Sequence, residues 1–185
     1  MLLAGLIRSR LTQWSGTPHM VYFSSRMLLL LLSVASLVMI LIALALEHWF
    51  MLEPCPLCIF QRVGVIGGGS IALIAAIHNP LPLGLRIYGT LISLALLGSI
   101  VFAVRQLWLQ SLPADQVPAC GPSLDYLMDV LPLTEVLTTV FSGDGSCAEI
   151  SWSFLGLSIP AWVIIACLPM MMMAIWATYW PRPKR

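Results

Sequence analysis

Four stretches of this chain are apolar enough, for long enough, to cross a lipid bilayer, and few folds are compatible with that. Met27–Leu46 has no charged residue, Leu57–Ile77 is broken only by Arg62, and Ile87–Val104 and Ala161–Trp180 are uncharged. A helix rises about 1.5 Å per residue, so roughly 20 apolar residues cover a hydrocarbon core of about 30 Å. With 59% of residues hydrophobic and only 9% charged, a soluble domain is excluded. The expected fold is an all-α membrane protein, a bundle of four transmembrane helices. Ile87–Val104 is the shortest run, and Arg105 is expected to close it by snorkelling to the interface.

The formal net charge of +1 hides a strong asymmetry. Arg8, Arg10, Arg26, Arg86, Arg182, Lys184 and Arg185 fall in the N-terminal arm, the 79–86 loop or the C-terminal tail. Every acid (Glu47, Glu53, Asp115, Asp125, Asp129, Glu135, Asp144, Glu149) falls in the other two loops, with only Arg62 and Arg105 beside them. Basic residues flank membrane spans on the cytoplasmic side. Both termini and the 79–86 loop are therefore expected inside, in agreement with an even number of spans, which puts both ends on one side. The reading divides the chain into an arm at 1–26, a membrane domain at 27–180 and a tail at 181–185. Its outer loops cover about 47–57 and 107–160. The arm lacks a long apolar run followed by a small-residue cleavage site and does not read as a signal peptide; Met20 and Met27 leave a later start open.

The larger outer loop cannot bury much of a core alone. From Ser123 to Phe141, apolar residues recur at Leu124, Leu127, Met128 and Leu131, then at Leu133, Val136, Leu137, Val140 and Phe141, with Pro132 between the sets. This is the i, i+3, i+4, i+7 pattern of amphipathic helices. One or two short helices lying at the membrane surface are expected. Gly143-Asp144-Gly145 then turns the chain, returning Cys147 towards the mouth of the bundle. The glycines of Gly64-Val65-Ile66-Gly67-Gly68-Gly69 read as close helix packing, because the Lys-Ser/Thr of a phosphate loop is missing. In the last span, Trp162 and Trp180 stand about 27 Å apart at 1.5 Å per residue, the separation of two interfacial aromatic belts.

Chemistry concentrates in Glu53-Pro54-Cys55-Pro56-Leu57-Cys58-Ile59-Phe60-Gln61-Arg62, at the junction of the first two spans. Pro54 and Pro56 hold the approach extended, so the second helix is expected to open at Leu57 or Cys58. Cys58 then lies in a first turn, where unpaired N–H groups and the helix dipole favour an anion. Arg62, at i+4, shares its face. A cation at that depth in lipid is read as functional, its partner here the Cys58 thiolate or an acceptor docked beside it. Cys55, Cys58, Cys120 and Cys147 all face the non-cytoplasmic compartment, where disulfides persist. Cys167 lies within the last span and reads as a small hydrophobe.

A tight pair (Cys55/Cys58) at the membrane surface suits electron transfer to something in the lipid. A wide pair (Cys120/Cys147) in a mobile loop suits an external protein thiol. Exchange between them needs only a thiolate attacking a disulfide sulfur. Without a pyridine-nucleotide fingerprint or a haem-attachment Cys-x-x-Cys-His, the acceptor is expected to be a lipophilic two-electron carrier such as a quinone.

The segment 53–62 resembles the signature of the DsbB family of disulfide bond formation proteins. Pro118-Ala119-Cys120, Gly143-Asp144-Gly145-Ser146-Cys147-Ala148-Glu149 and Trp152-Ser153-Phe154-Leu155-Gly156-Leu157-Ser158-Ile159-Pro160 extend the likeness over about residues 27–180. The resemblance implies a quinone-dependent thiol oxidase of the bacterial inner membrane. Its redox disulfides would be Cys55–Cys58 and Cys120–Cys147. Cys120 would meet a DsbA-type thioredoxin-fold partner and Cys147 would resolve the mixed disulfide. Cys55 would take the attack that joins the loops, and Cys58 would be released beside ubiquinone, or menaquinone as the alternative, with Arg62 stabilising it. Family members often carry histidine near the outer end of the third span, where this chain has Gln106; an amide can hydrogen-bond a quinone carbonyl but supplies no titratable proton. Gln106 and His48 are the further candidate quinone contacts.

Other readings compete. A paralogue serving a dedicated partner would keep the same chemistry, while a membrane protein stapled by two disulfides would not turn over. The staple does not explain Arg62 or the short Cys55–Cys58 spacing. A structural zinc site lacks a second Cys-x-x-Cys, so no metal is expected. Nor is nucleic acid a partner. Reverse flow, as in vitamin K epoxide reductase-like bundles, would place the active Cys-x-x-Cys late in the chain.

Overall fold

The fold was analysed in a computed structural model that describes residues 24–51, 54–113, 115–117, 124–142 and 145–179. Residues 1–23 of the N-terminal arm, Cys120, the Gly143-Asp144 turn, Trp180 and the C-terminal tail lie outside the described residues.

Four long helices carry the architecture: α1 (Ser25–Phe50), α2 (Pro56–His78), α3 (Pro82–Gln110) and, last in the chain, α7 (Ile159–Tyr179). All four have the length and composition of membrane spans. This is an all-α, multi-pass membrane fold, with α1 against α2, α2 against α3, α3 against α7 and α7 back against α1. Leu37, Leu41, Ile42, Leu94, Val104 and Met172 point outward and are exposed, which in lipid is the apolar face of a span.

Helix ends depart from the sequence expectation in instructive ways. Proline fixes φ and loses nothing at the first helical position, where its missing N–H would be unpaired anyway. Accordingly α2 opens at Pro56, with Cys55 as its N-cap, and α3 opens at Pro82. The third span is the longest helix, with 29 residues, not the shortest. Arg86 and Arg105 bound its uncharged middle but are good helix formers, so the helix continues past both. The connection between α2 and α3 shrinks to 79–81, where Asn79 takes the left-handed cap conformation (φ 44°) and returns its N–H to Ala75 O. At the other end α1 runs on to Phe50, which places Glu47 on a helix instead of in a loop.

Small residues set the helix spacing. A Cβ on Gly64 would meet Ser99 Oγ at 2.1 Å and Ala95 O at 2.8 Å, and one on Gly69 would meet Ser36 Cβ at 2.5 Å. The glycine-rich string therefore packs α2 onto α3 and α1, as expected, although Gly67 faces open space. Ser99 Oγ donates to Gln61 O at 2.9 Å, pinning the same crossing. Below it, Leu32, Ala72, Ile92, Leu96, Cys167 and Ala174 form an apolar core.

Between α3 and α7 lie the short helices α4 (Leu124–Val130), α5 (Leu133–Ser142) and α6 (Gly145–Ala148). α4 and α5 are the amphipathic pair that the sequence predicts, and they part at Pro132. Leu127, Val136 and Val140 are buried in a second core with Cys55, Leu57, Leu109 and Cys147. Each such side chain contributes about 1.5–3 kcal/mol on full burial. The loop is held further by Phe102, which stacks on Phe60 and packs tilted against Phe141, and by Arg105 Nε, which donates to Phe141 O at 2.9 Å. A two-stranded hairpin, β1 (Ser153–Phe154) and β2 (Leu157–Ser158), precedes α7. Its turn residues Leu155 and Gly156 both have positive φ (53° and 77°).

Candidate functional site

The thiols gather where the α2 N-terminus meets the second core. Cys55 caps α2 in extended conformation and Cys58 is the third helical residue, so the two sulfurs project from the same turn. Cys55 Sγ donates to Cys58 Sγ at 3.0 Å. Cys147, on α6, hydrogen-bonds to Cys55 as well. Hydrogen bonding to Cys147, then to Cys58, together with burial, holds the Cys55 thiol far above the usual thiol range. Three of the four predicted cysteines are thus brought together, with Cys55 in the middle; Cys120 lies outside the described residues.

A pair of amides orients the sulfurs. Gln106, on α3, is buried and donates through Nε2 to Cys55 Sγ and Cys58 Sγ, each at 3.4 Å. Its Oε1 accepts from Gln61 Nε2 at 2.8 Å. Gln61 is buried at 3% exposure, which in an apolar bundle requires a partner, and Gln106 is that partner.

Arg62 departs from expectation. Its guanidinium donates to the Glu47 carboxylate at 2.6 Å and to Ala43 O at 3.4 Å, so the hydrogen-bonded partner is an acid on α1 rather than the Cys58 sulfur. Arg62, Glu47, Cys58 and Gln106 nevertheless line one cleft of about 110 Å³. Apolar walls come from Met39, Ile40, Val65 and Val163, and Gln110, Ser146 and Glu149 close its loop end. His48 is not among the lining residues; it is exposed, its Nδ1 on Leu44 O at 3.0 Å.

Gln61 and Glu47 were missed as site residues by sequence reasoning. A signal existed for both. Gln61 is a polar residue at i+3 from Cys58, on the face that α2 buries. Glu47 is an acid near the end of one span, opposite the sole cation at the start of the next.

A closed bundle of four spans that collects thiols, amides and an ion pair at one end defines a multi-pass membrane protein with a dithiol site. The model of one family, Disulfide bond formation protein DsbB, matches residues 25–177, and the chain belongs to that family. Among its relatives is the Disulfide bond formation protein B of Acinetobacter baylyi (strain ATCC 33305 / BD413 / ADP1), 50% identical over 79% of this chain and 86% of that protein. That of Stutzerimonas stutzeri (strain A1501) is 45% identical over 83% of this chain and 94% of its own length. That of Marinobacter nauticus (strain ATCC 700491 / DSM 11845 / VT8) is 55% identical over 67% and 74% respectively.

Proposed function

We propose that this protein is a membrane thiol oxidase that reoxidises a DsbA-type periplasmic dithiol protein and delivers two electrons to a membrane quinone. The observation that carries the reading is the contact of Cys55 with both Cys147 and Cys58. The Cys147 sulfur on α6 and the Cys58 sulfur in the first turn of α2 both reach the sulfur at the helix cap. Family membership and the relatives' names support disulfide formation as the outcome.

The steps follow from thiolate attack on disulfides. A partner thiolate attacks Cys120 Sγ of the Cys120–Cys147 disulfide, and Cys147 leaves as thiolate. Cys147 attacks Cys55 Sγ of the Cys55–Cys58 disulfide, and Cys58 leaves into the N-terminal turn of α2, where helix N–H groups favour negative charge. The partner's second thiolate closes its own disulfide and releases Cys120. Cys120 then attacks Cys147, restoring the wide pair and leaving Cys55 and Cys58 as the dithiol. The Cys55 thiol, held protonated by its neighbours, keeps the negative charge at Cys58.

The cleft suits a flat lipophilic acceptor bearing carbonyls, because its walls are largely apolar and its polar groups include the Gln106 amide and the Arg62 guanidinium. Ubiquinone, or menaquinone, would supply the two-electron, two-proton sink that makes the dithiol a disulfide again. The positive-inside distribution supports the bacterial inner membrane with both termini cytoplasmic, the cleft facing the periplasm. Reconstituted protein given reduced DsbA-type partner and ubiquinone tests this: one quinone should disappear per partner disulfide formed. Partner oxidation at the same rate without quinone would contradict it.

A further inference from the structure

Arg62 is a cation within a membrane span, and its guanidinium is committed to α1 instead of to sulfur. Glu47 and Ala43, the two groups that hold it, are four residues apart on one face of α1. Cys58, one turn before Arg62 on α2, is engaged by Cys55 and Gln106. Glu47, Cys58 and Arg62 all border the same cleft. A lone guanidinium near a thiol strongly favours the thiolate. One paired with a carboxylate at hydrogen-bond distance favours it far less, because the two fields largely cancel beyond the pair.

We propose that Glu47 is a positioning residue that ties Arg62 to α1 and so limits the positive charge met by Cys58 and by any acceptor beside it. The inference rests on Cys58 being the exit thiol, yet its test needs no acceptor. Among the described residues, the charged and titratable groups around Cys58 are Glu47 from α1, Cys55 and Arg62 from α2 and its cap, Cys147 from α6 and Glu149 just after it. From α3 come only the neutral amides Gln106 and Gln110, and from α7 the apolar Val163.

The experiment follows iodoacetamide modification of Cys58 by mass spectrometry, in full-length, reduced, quinone-free protein, as a function of pH. Glu47→Gln should move the profile to lower pH by about one unit, the lower end of what an uncompensated neighbouring charge produces. On the acid side thiolate then rises about tenfold while its nucleophilicity falls, so the rate gains about threefold. Glu47→Asp, with a shorter reach to Arg62, should lie between wild type and Glu47→Gln. In an Arg62→Met background, Glu47→Gln should leave the profile where Arg62→Met put it. An unchanged profile in Glu47→Gln would overturn the proposal, and so would an equal shift without Arg62, which would mean that the carboxylate acts on Cys58 directly. If Glu47→Gln does not fold, Glu47→Asp decides alone: a profile coincident with wild type overturns the proposal. Loss of quinone-dependent turnover in wild type would defeat the functional reading and leave this result standing.

Discussion

Gln61 donates its side-chain amide to Gln106 Oε1 at 2.8 Å, a much shorter contact than the 3.5 Å at which Cys58 Sγ donates to the same oxygen. Held in this way, Gln106 also presents Nε2 to both Cys55 and Cys58 at 3.4 Å. An amide nitrogen is a donor only, so these two Nε2 contacts favour sulfur in its anionic form.

Gln106→Leu should therefore slow quinone-dependent reoxidation of the Cys55/Cys58 dithiol by about tenfold, the equivalent of one hydrogen bond to a charged group. It should also strand the Gln61 amide and cost about 1–3 kcal/mol of stability. Gln106→Glu keeps the volume but replaces the donor with an acceptor, and should be slower still. Single-turnover thiol trapping and detergent unfolding read the two effects separately.

The cysteines should separate by step. Cys58→Ser should abolish quinone-dependent turnover. Cys120→Ser should abolish oxidation of the partner yet leave the Cys55/Cys58 pair reactive towards quinone. Partner oxidation at the normal rate in Cys120→Ser would reverse the assignment of entry and exit pairs.

Helix spacing gives a prediction independent of redox chemistry. Gly64→Ala drives a methyl group into Ser99 Oγ and the Ala95 carbonyl, so it should cost about 1–3 kcal/mol, as overpacking does. Gly67→Ala meets nothing within 4 Å and should be neutral or stabilising by about 0.5–1 kcal/mol through helix propensity. Unfolding of the two variants in mixed micelles compares them directly, and equal stabilities would contradict the packing.

The protonation of Cys55 carries a pH signature. Its thiol titrates higher in the folded protein than in the unfolded chain, so the folded state holds the proton more tightly. That contribution is fully present below the unfolded value, about 8.5, and is lost as pH rises beyond it towards the folded value. Reduced wild-type protein should accordingly lose more thermal stability between neutral and strongly alkaline pH than Cys55→Ser. Cys55 should also be alkylated more slowly than Cys58 throughout.

Much of this molecule was legible in its apolar runs and in where its charges fall. Four spans follow from runs of uncharged residues, and the α4–α5 break at Pro132 follows from the interrupted helical stripe. Helix ends were harder to place. Pro56 read as a barrier but serves as the first residue of α2, and Arg86 and Arg105 read as boundaries but lie within α3. The hairpin at Ser153–Ser158 escaped notice because its strands are two residues each, too short for alternation to register. Within the site, the Cys55–Cys58 turn could be read locally. The Glu47–Arg62 and Gln61–Gln106 pairs could not, since each joins two helices whose relative rotation is fixed by glycines elsewhere on α2.

The most direct test of the central claim uses Cys120→Ser protein, fully reduced in liposomes and given quinone without any partner. Alkylation of Cys55 and Cys58 is followed over time by mass spectrometry. Ubiquinone or menaquinone should convert both from alkylatable thiols to a disulfide, and removing quinone should stop the conversion. If the pair stays reduced with both quinones present, electrons do not leave through Cys58, and the mechanism is wrong.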